Sequence, residues 1–230
     1  MTTTILIPGL LCDDTVWQPL MDQLEGQASI GMAPTQDTLT GMAREILGQH
    51  TGPLTVLGHS MGARIAMEMA RQCPERITKL GLFDTGAHPL REGETEKRAE
   101  IVKFAFENGM QALADRWLPG MIHPDHQDNP QLMRALNDMV LRMDPALHAR
   151  QINALVHRPN ASAYLHEIAC PVLLLVGQED QWSPVSQHRD MLKILPDAHL
   201  EIINNAGHFS LLEQPAIVAK ISAEFISGNT

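Results

Sequence analysis

The stretch Gly58-His59-Ser60-Met61-Gly62 sets a serine between two glycines, after the apolar run Leu54 to Leu57 and before a helix-like run that ends near Ala70. A Gly-x-Ser-x-Gly turn between a buried strand and a tightly packed helix holds its serine in a strained conformation that only small neighbours permit. Such a turn exposes the Ser60 hydroxyl and leaves the Met61 N–H at the positive end of the helix. A nucleophile and one oxyanion donor would then come from a single turn.

A serine hydroxyl needs a base to take its proton, and the base needs a third group to orient its ring. Downstream, Val172 to Val176 runs into Gly177-Gln178-Glu179-Asp180, and Leu200 to Ile203 runs into Asn204-Asn205-Ala206-Gly207-His208. Ser60, Asp180 and His208 therefore each follow a strand-like run, where open parallel sheets place their ligands. We expect Ser60 as nucleophile, His208 as base and Asp180 as the orienting acid. The second oxyanion donor is expected from Ile5-Leu6-Ile7-Pro8-Gly9-Leu10-Leu11, at the N–H of Leu10, with Leu11 as the neighbouring alternative. Leu11, Trp117, Trp182 and Phe209 are expected to line the substrate pocket.

Several residues compete for these roles. Asp84, after Leu80 to Phe83, is a second candidate acid, read here as a turn residue beside Thr85 and Gly86. Glu179 reads as a solvated turn residue, and His59 as a packing or hydrogen-bonding residue that faces away from Ser60. His123-Pro124-Asp125-His126 reads as a loop and not a metal pair, because Pro124 breaks the helix that would align the rings and no third ligand stands out. Cys12 has no basic partner in view and reads as inert.

The elements that must position these groups are short apolar runs separated by helical stretches. Ile5 to Ile7, Ala28 to Met32, Leu54 to Leu57, Leu80 to Phe83, Val172 to Val176 and Leu200 to Ile203 have strand length and little alternation. Runs of that kind suit strands buried on both faces of a parallel sheet covered by helices. Ala63, Ala66, Met67 and Ala70 recur at helical spacing, so strand, helix and strand form a crossover unit. Between Gly86 and Asn160 no strand-like run occurs. Helical patterns there span Glu94 to Phe106, Met110 to Trp117, Gln131 to Met143 and Pro145 to Val156. The chain thus divides into a first core part (1–86), a helical cap insertion (87–160) and a second core part (161–230).

With 230 residues, 44% of them hydrophobic, the chain can bury a full core. Seventeen Lys and Arg against 27 Asp and Glu give a net charge of −10, which argues against nucleic acid as a partner. The first ten residues lack a basic start and a long apolar stretch, and no apolar run reaches about 18 residues. Three scattered cysteines, Cys12, Cys73 and Cys170, fit no disulfide framework or thiolate metal site. A cytoplasmic location, no membrane contact, no cofactor and no metal are expected.

Gly58-His-Ser-Met-Gly62, Gly177-Gln-Glu-Asp180 and Asn205-Ala-Gly-His208 together resemble the elbow, acid and histidine motifs of the α/β-hydrolase fold over almost the whole chain. Gly109 to Trp117 and Leu165 to Pro171 are similar to the branch of 3-oxoadipate enol-lactonases, carrier-protein methyl ester esterases and carboxylesterases. The resemblance implies a mostly parallel sheet with helices on both faces and an inserted helical cap. Two departures stand out: only four residues precede Ile5, so the usual N-terminal strand hairpin is missing, and Ala33-Pro-Thr-Gln-Asp-Thr38 replaces a Gly-rich loop. The first is expected to shorten the sheet and expose an edge strand, the second to leave one wall of the site to the cap.

The expected function is cofactor-free serine hydrolysis of a small-molecule carboxylic ester, lactone or thioester. Carbon–carbon bond hydrolysis and cofactor-free peroxidation share the same residues, and a non-catalytic small-ligand-binding protein would keep the pocket without reacting at Ser60. A homodimer is allowed. Phe104, Phe106, Met110, Trp117, Leu118, Met121, Met139 and Met143 are expected to give the pocket an apolar, adaptable roof, favouring short to medium uncharged acyl esters. Arg116, Arg142 and Arg158 are the cap cations that would instead serve a dicarboxylate-derived lactone, Arg158 foremost.

Overall fold

The apolar runs all become strands of one sheet in the computed structural model, which describes residues 2–228. They are β1 (Thr3–Ile7), β2 (Ala28–Ile30), β3 (Leu54–His59), β4 (Ile77–Phe83), β5 (Val172–Gly177) and β6 (Ala198–Ile203). Their order is β2-β1-β3-β4-β5-β6, and every neighbouring pair is parallel.

Side chains alternate across a strand, so a run that is apolar at every position feeds two cores at once. Ile5, Ile7, Val56, Leu80 and Leu174 enter one core, and Leu6, Leu57, Phe83, Leu173 and Leu175 the other. The helices supply the outer layers: α1 (Gln18–Gln23), α2 (Leu39–Gln49), α3 (Met61–Gln72), α4 (Glu94–Trp117), α5 (Pro130–Leu141), α6 (Pro145–Val156), α7 (Val185–Ile194), α8 (Ser210–Glu213) and α9 (Pro215–Ser227). Residues of α2, α3 and α7 pack in the first core, and those of α1, α9 and the α4–α5 region in the second.

Helices α4, α5 and α6 lie between β4 and β5. Gly109 breaks α4 at φ 81, ψ 173, where the two helical patterns of the sequence meet. Asp144 starts α6, its carboxylate accepting the Leu147 N–H at 2.7 Å ahead of Pro145 in the first turn. Side chains of α6 reach the segment after β2: Arg150 Nε donates to Pro34 O at 2.9 Å, and Asn153 Nδ2 to Asp37 O at 3.0 Å.

The edges of the sheet are β2 and β6, and on the N-terminal side the edge falls on β2 and not on β1, since β1 is paired on both sides. A three-residue edge offers little to another strand. The chain builds β2 on one side of β1 and β3 on the other, so the direction of winding reverses between β1 and β3. Ligands of open parallel sheets bind beyond the carboxyl ends of the strands at such a reversal. Among the described residues, no helix is long and apolar enough to cross a membrane.

Candidate active site

The two loops flanking that reversal are Pro8 to Cys12, after β1, and the turn at Ser60, after β3. They touch because glycines let them. A Cβ on Gly62 would strike the carbonyl oxygens of Ile7 and Pro8, and one on Gly58 would strike the backbone of Gly62 and Ala63. Ser60 sits at φ 54, ψ −112, a region costly for any residue with a side chain. It stands at the N-cap of α3, yet its hydroxyl does not cap the helix. Oγ meets His208 Nε2 instead, at 2.9 Å.

Among the described residues, four of the five non-glycine residues with positive φ lie just past strand ends around this point: Leu11, Ser60, Asp84 and Asn205. Strain concentrated in this way marks loops shaped for something other than packing.

His208 follows β6 and turns its Nδ1 toward Asp180 Oδ2 at 2.8 Å. Since Asp180 accepts a hydrogen bond from Nδ1–H, Nε2 is left as the acceptor facing Ser60. The other oxygen of Asp180 accepts the N–H groups of Trp182 (2.8 Å) and Ser183 (2.9 Å), which fixes the carboxylate. Burial works against charge on both side chains. The Asp180 charge and hydrogen bond nevertheless raise His208 above the usual imidazole value, and the same contact holds Asp180 below the usual carboxylate value.

Asp84 is fully buried and does something different. Its Oδ1 accepts the Gly177 N–H at 2.9 Å and its Oδ2 the Ser210 hydroxyl at 2.6 Å, so it ties the end of β5 to α8. Burial, and after it the charge of Asp180, push its carboxyl well up.

His59 donates from Nε2 to the His208 carbonyl oxygen at 2.8 Å, and burial lowers its pKa to about 3. Glu179 is only half-exposed and accepts the Ala206 N–H at 3.1 Å, so it is a loop brace, not the solvated residue its neighbours suggest. His123 and His126 serve Glu213, which takes the His123 N–H at 2.7 Å and lies 3.1 Å from His126 Nδ1. The opposite oxygen of Glu213 accepts the Gly207 N–H at 2.9 Å. Among the described residues, no group of three or more His, Cys, Asp or Glu is placed to hold a metal ion. Cys12 is buried, and its thiol is pushed up by burial and then by Asp13.

Of the two candidate N–H groups after β1, that of Leu11 is occupied: it donates to Gln151 Oε1 at 2.9 Å. Leu10, Leu11, Met61, Trp117, Trp182 and Phe209 all line one cavity of about 630 Å³ with Ser60 and His208 at its floor. Trp182 stands 51% exposed at its mouth.

The roof differs from the expected one. Trp117 and Met121 line the cavity, but Phe104, Phe106, Met110, Leu118, Met139 and Met143 do not. Phe106 is 59% exposed, and Leu118 and Met139 are spent holding the cap to the core. Cations take their place: Arg64, Arg91, Lys97, Arg98, Arg116 and Arg158 line the cavity against the carboxylates of Glu92, Glu94 and Glu100. Arg142 is not among them, since it is bound to Asp13 at 2.7 Å. Arg158 is committed as well, to both oxygens of Glu94 (2.7 and 2.8 Å) and to the carbonyls of Leu155 and Pro89.

Arg64 is the buried cation left short of partners. It is 9% exposed and makes one hydrogen bond among the described residues, from Nη1 to His88 O at 3.2 Å. Burial, and then the nearby Arg158, lower its pKa to about 9. Its signal in the sequence is a charge four residues after Ser60, within the otherwise small and apolar stretch Met61 to Met67. His148, buried on α6 and lowered by burial to about 4, also lines the cavity and had no sequence signal.

Comparison with known proteins bears on the family and the fold. A Bacillus subtilis (strain 168) protein provisionally named 2-succinyl-6-hydroxy-2,4-cyclohexadiene-1-carboxylate synthase is 28% identical over 180 residues, covering 75% of this chain and 65% of that protein. The chain spans 55% to 65% of the length of the first curated relatives it matches. A thermophilic esterase from Thermogutta terrifontis, described with malate bound, superposes with TM-score 0.89 at 26% identity, over 99% of this chain and 90% of that one. The enol-lactonase from Burkholderia xenovorans LB400 shares the fold at TM-score 0.87 and 22% identity, over 99% and 92% of the two chains. The model of the alpha/beta hydrolase family matches residues 5–221. The chain belongs to the alpha/beta hydrolase family.

Proposed function

We propose that the protein is a serine hydrolase of small carboxylic esters, lactones or thioesters, and that its substrate carries a carboxylate. The observation that carries the first part is the line Ser60 Oγ, His208 Nε2, His208 Nδ1, Asp180 Oδ2, with spacings of 2.9 and 2.8 Å at the floor of the cavity. Ser60 attacks the carbonyl carbon while His208 takes its proton on Nε2. Asp180 keeps the ring in the right tautomer and offsets the charge it gains. The N–H groups of Leu10 and Met61 receive the oxyanion, the Leu11 N–H being engaged by Gln151.

Collapse of the tetrahedral intermediate breaks the bond to the leaving group, which departs with the proton from His208. Water then gives its own proton to His208, attacks the acyl carbonyl, and the proton returns to Ser60 Oγ. Each step uses groups of this chain, the substrate and water.

Arg64 supports the second part. A buried guanidinium with one acceptor gains most from an anion brought into the same cavity, where the low dielectric strengthens the pairing. The likeness to an esterase described with malate bound, a dicarboxylate, points the same way. The test is kcat/KM for p-nitrophenyl butyrate and for the p-nitrophenyl hemiester of succinic acid, with wild type and Ser60→Ala. Turnover lost in Ser60→Ala and a preference for the anionic ester are expected; turnover kept in Ser60→Ala would overturn the reading.

A further inference from the structure

Leu11 holds a left-handed backbone conformation, φ 56, that costs a leucine on the order of 1 kcal/mol or more. The surrounding structure must therefore fix it. Both ends of the Leu10–Leu11 peptide are tied. The Leu10 carbonyl accepts the Cys12 thiol at 3.2 Å, and the Leu11 N–H donates to Gln151 Oε1 at 2.9 Å. Cys12 N–H closes the turn onto Gly9 O at 3.2 Å, and Gly9 lies against the turn at Ser60, where a Cβ would come within 3.2 Å of Ser60 Cβ.

The tie from Gln151 is the one that does not come from the loop itself. Gln151 is 140 residues away, on α6 of the helical insertion, and is buried. The oxygen and nitrogen of its amide are assigned by chemistry, because a backbone N–H requires an acceptor. One turn earlier on the same helix, His148 lines the cavity. The helix that walls the cavity thus also holds the loop beside the nucleophile.

We propose that Gln151 is a positioning residue for the oxyanion hole. By fixing the Leu10–Leu11 peptide it sets the torsion of Leu10 and keeps the Leu10 N–H aimed at the developing oxyanion. The inference rests on the hydrolase reading above, and it makes the insertion a working part of the catalytic geometry as well as a cover. An interaction of this kind acts on the transition state and not on the bound ester, so its loss lowers kcat and kcat/KM together and leaves KM in place.

The experiment compares Gln151→Met, which keeps the length and volume but loses the amide acceptor, with Gln151→Glu, which keeps an oxygen for the Leu11 N–H. Steady-state kinetics on p-nitrophenyl butyrate are read beside amide hydrogen exchange at Leu11 and thermal melting. Deleting an oxyanion donor outright costs roughly 10²–10³ in kcat, so misaligning one is expected to cost about tenfold to a hundredfold. Gln151→Met is expected to show that loss with KM within about twofold and faster exchange at Leu11, and Gln151→Glu to lose several-fold less. Wild-type kcat in Gln151→Met, equal losses in both variants, or a loss that appears in KM would overturn the proposal. Failure of the hydrolase reading is visible separately, in a wild-type protein that neither turns over the ester nor depends on Ser60.

Discussion

Asp180 and Asp84 both follow parallel strands of the same sheet, but only Asp180 meets the His208 ring, Oδ2 to Nδ1 at 2.8 Å. Asp84 is spent on the Gly177 N–H and the Ser210 hydroxyl. Asp180→Asn presents an amide N–H where the imidazole needs an acceptor and favours the wrong tautomer. In a serine protease the equivalent change costs about 10⁴ in kcat, and a loss of that order is expected here. Asp84→Asn is expected to change kcat by less than about tenfold and to appear mainly as lost stability, about 1–3 kcal/mol, in denaturant titrations. Equal kinetic losses, or a larger one at Asp84, would contradict the assignment.

In the proposed reaction His208 must be neutral to accept the proton of Ser60. Asp180 raises His208 above the usual imidazole value, so His208 becomes protonated, and inactive as a base, at a higher pH than a free histidine. The acid limb of kcat/KM is expected to have an apparent pKa above 6.5. His59 and His188 are held down, to about 3 and about 4, chiefly by burial. Their ring resonances are expected to stay fixed between pH 8 and about 5.5 while those of His208 move. An acid limb below the usual histidine value would contradict this.

Arg64 and Arg158 line the same cavity but differ in what they have left to give. Arg158 is saturated by Glu94 and backbone carbonyls, whereas Arg64 holds one carbonyl. Arg64→Gln is expected to raise KM for the succinate hemiester by about tenfold, the worth of one charge-assisted bond, and to leave the butyrate ester within about twofold. Arg158→Ala should instead destabilise the fold by about 1–3 kcal/mol, because it leaves the Leu155 and Pro89 carbonyls unpaired and Glu94 with only Arg98 and the Arg91 N–H. A loss of both esters alike in Arg64→Gln would remove the case for an anionic substrate.

Gly62 and Gly109 test two different demands on glycine. A Cβ on Gly62 meets the Ile7 and Pro8 carbonyls, which cannot move without shifting β1. Gly109 has open space around it and only a left-handed backbone, φ 81, to sustain. Gly62→Ala is expected to lose at least 1–3 kcal/mol and most activity, and Gly109→Ala about 1–3 kcal/mol with activity kept. Urea unfolding read beside esterase rates separates the two; equal effects would contradict the packing argument.

The sheet was legible because strands buried on both faces leave continuous apolar runs, and even the break in α4 showed as a gap in helical spacing at Gly109. Ser60, Asp180 and His208, which the structure brings into hydrogen-bond contact, could be picked out because each stands a few residues past such a run. The cavity roof was not. Its apolar residues at helical spacing are shared between cap cohesion and cavity lining, and spacing does not say which. Nor does a sequence reveal that Arg158 is consumed by Glu94, or that Gln151 reaches a loop 140 residues away, since both depend on how the insertion folds back onto the sheet.

The most direct test of the central claim is covalent labelling of the folded protein with a fluorophosphonate, read by intact mass. The wild type is expected to gain one adduct, mapped to Ser60, with the rate falling as pH drops through the His208 titration, and Ser60→Ala is expected to gain none. A wild-type protein that stays unlabelled while folded, or a Ser60→Ala variant that labels as the wild type does, would contradict a nucleophilic Ser60 and leave a pocket that binds without reacting.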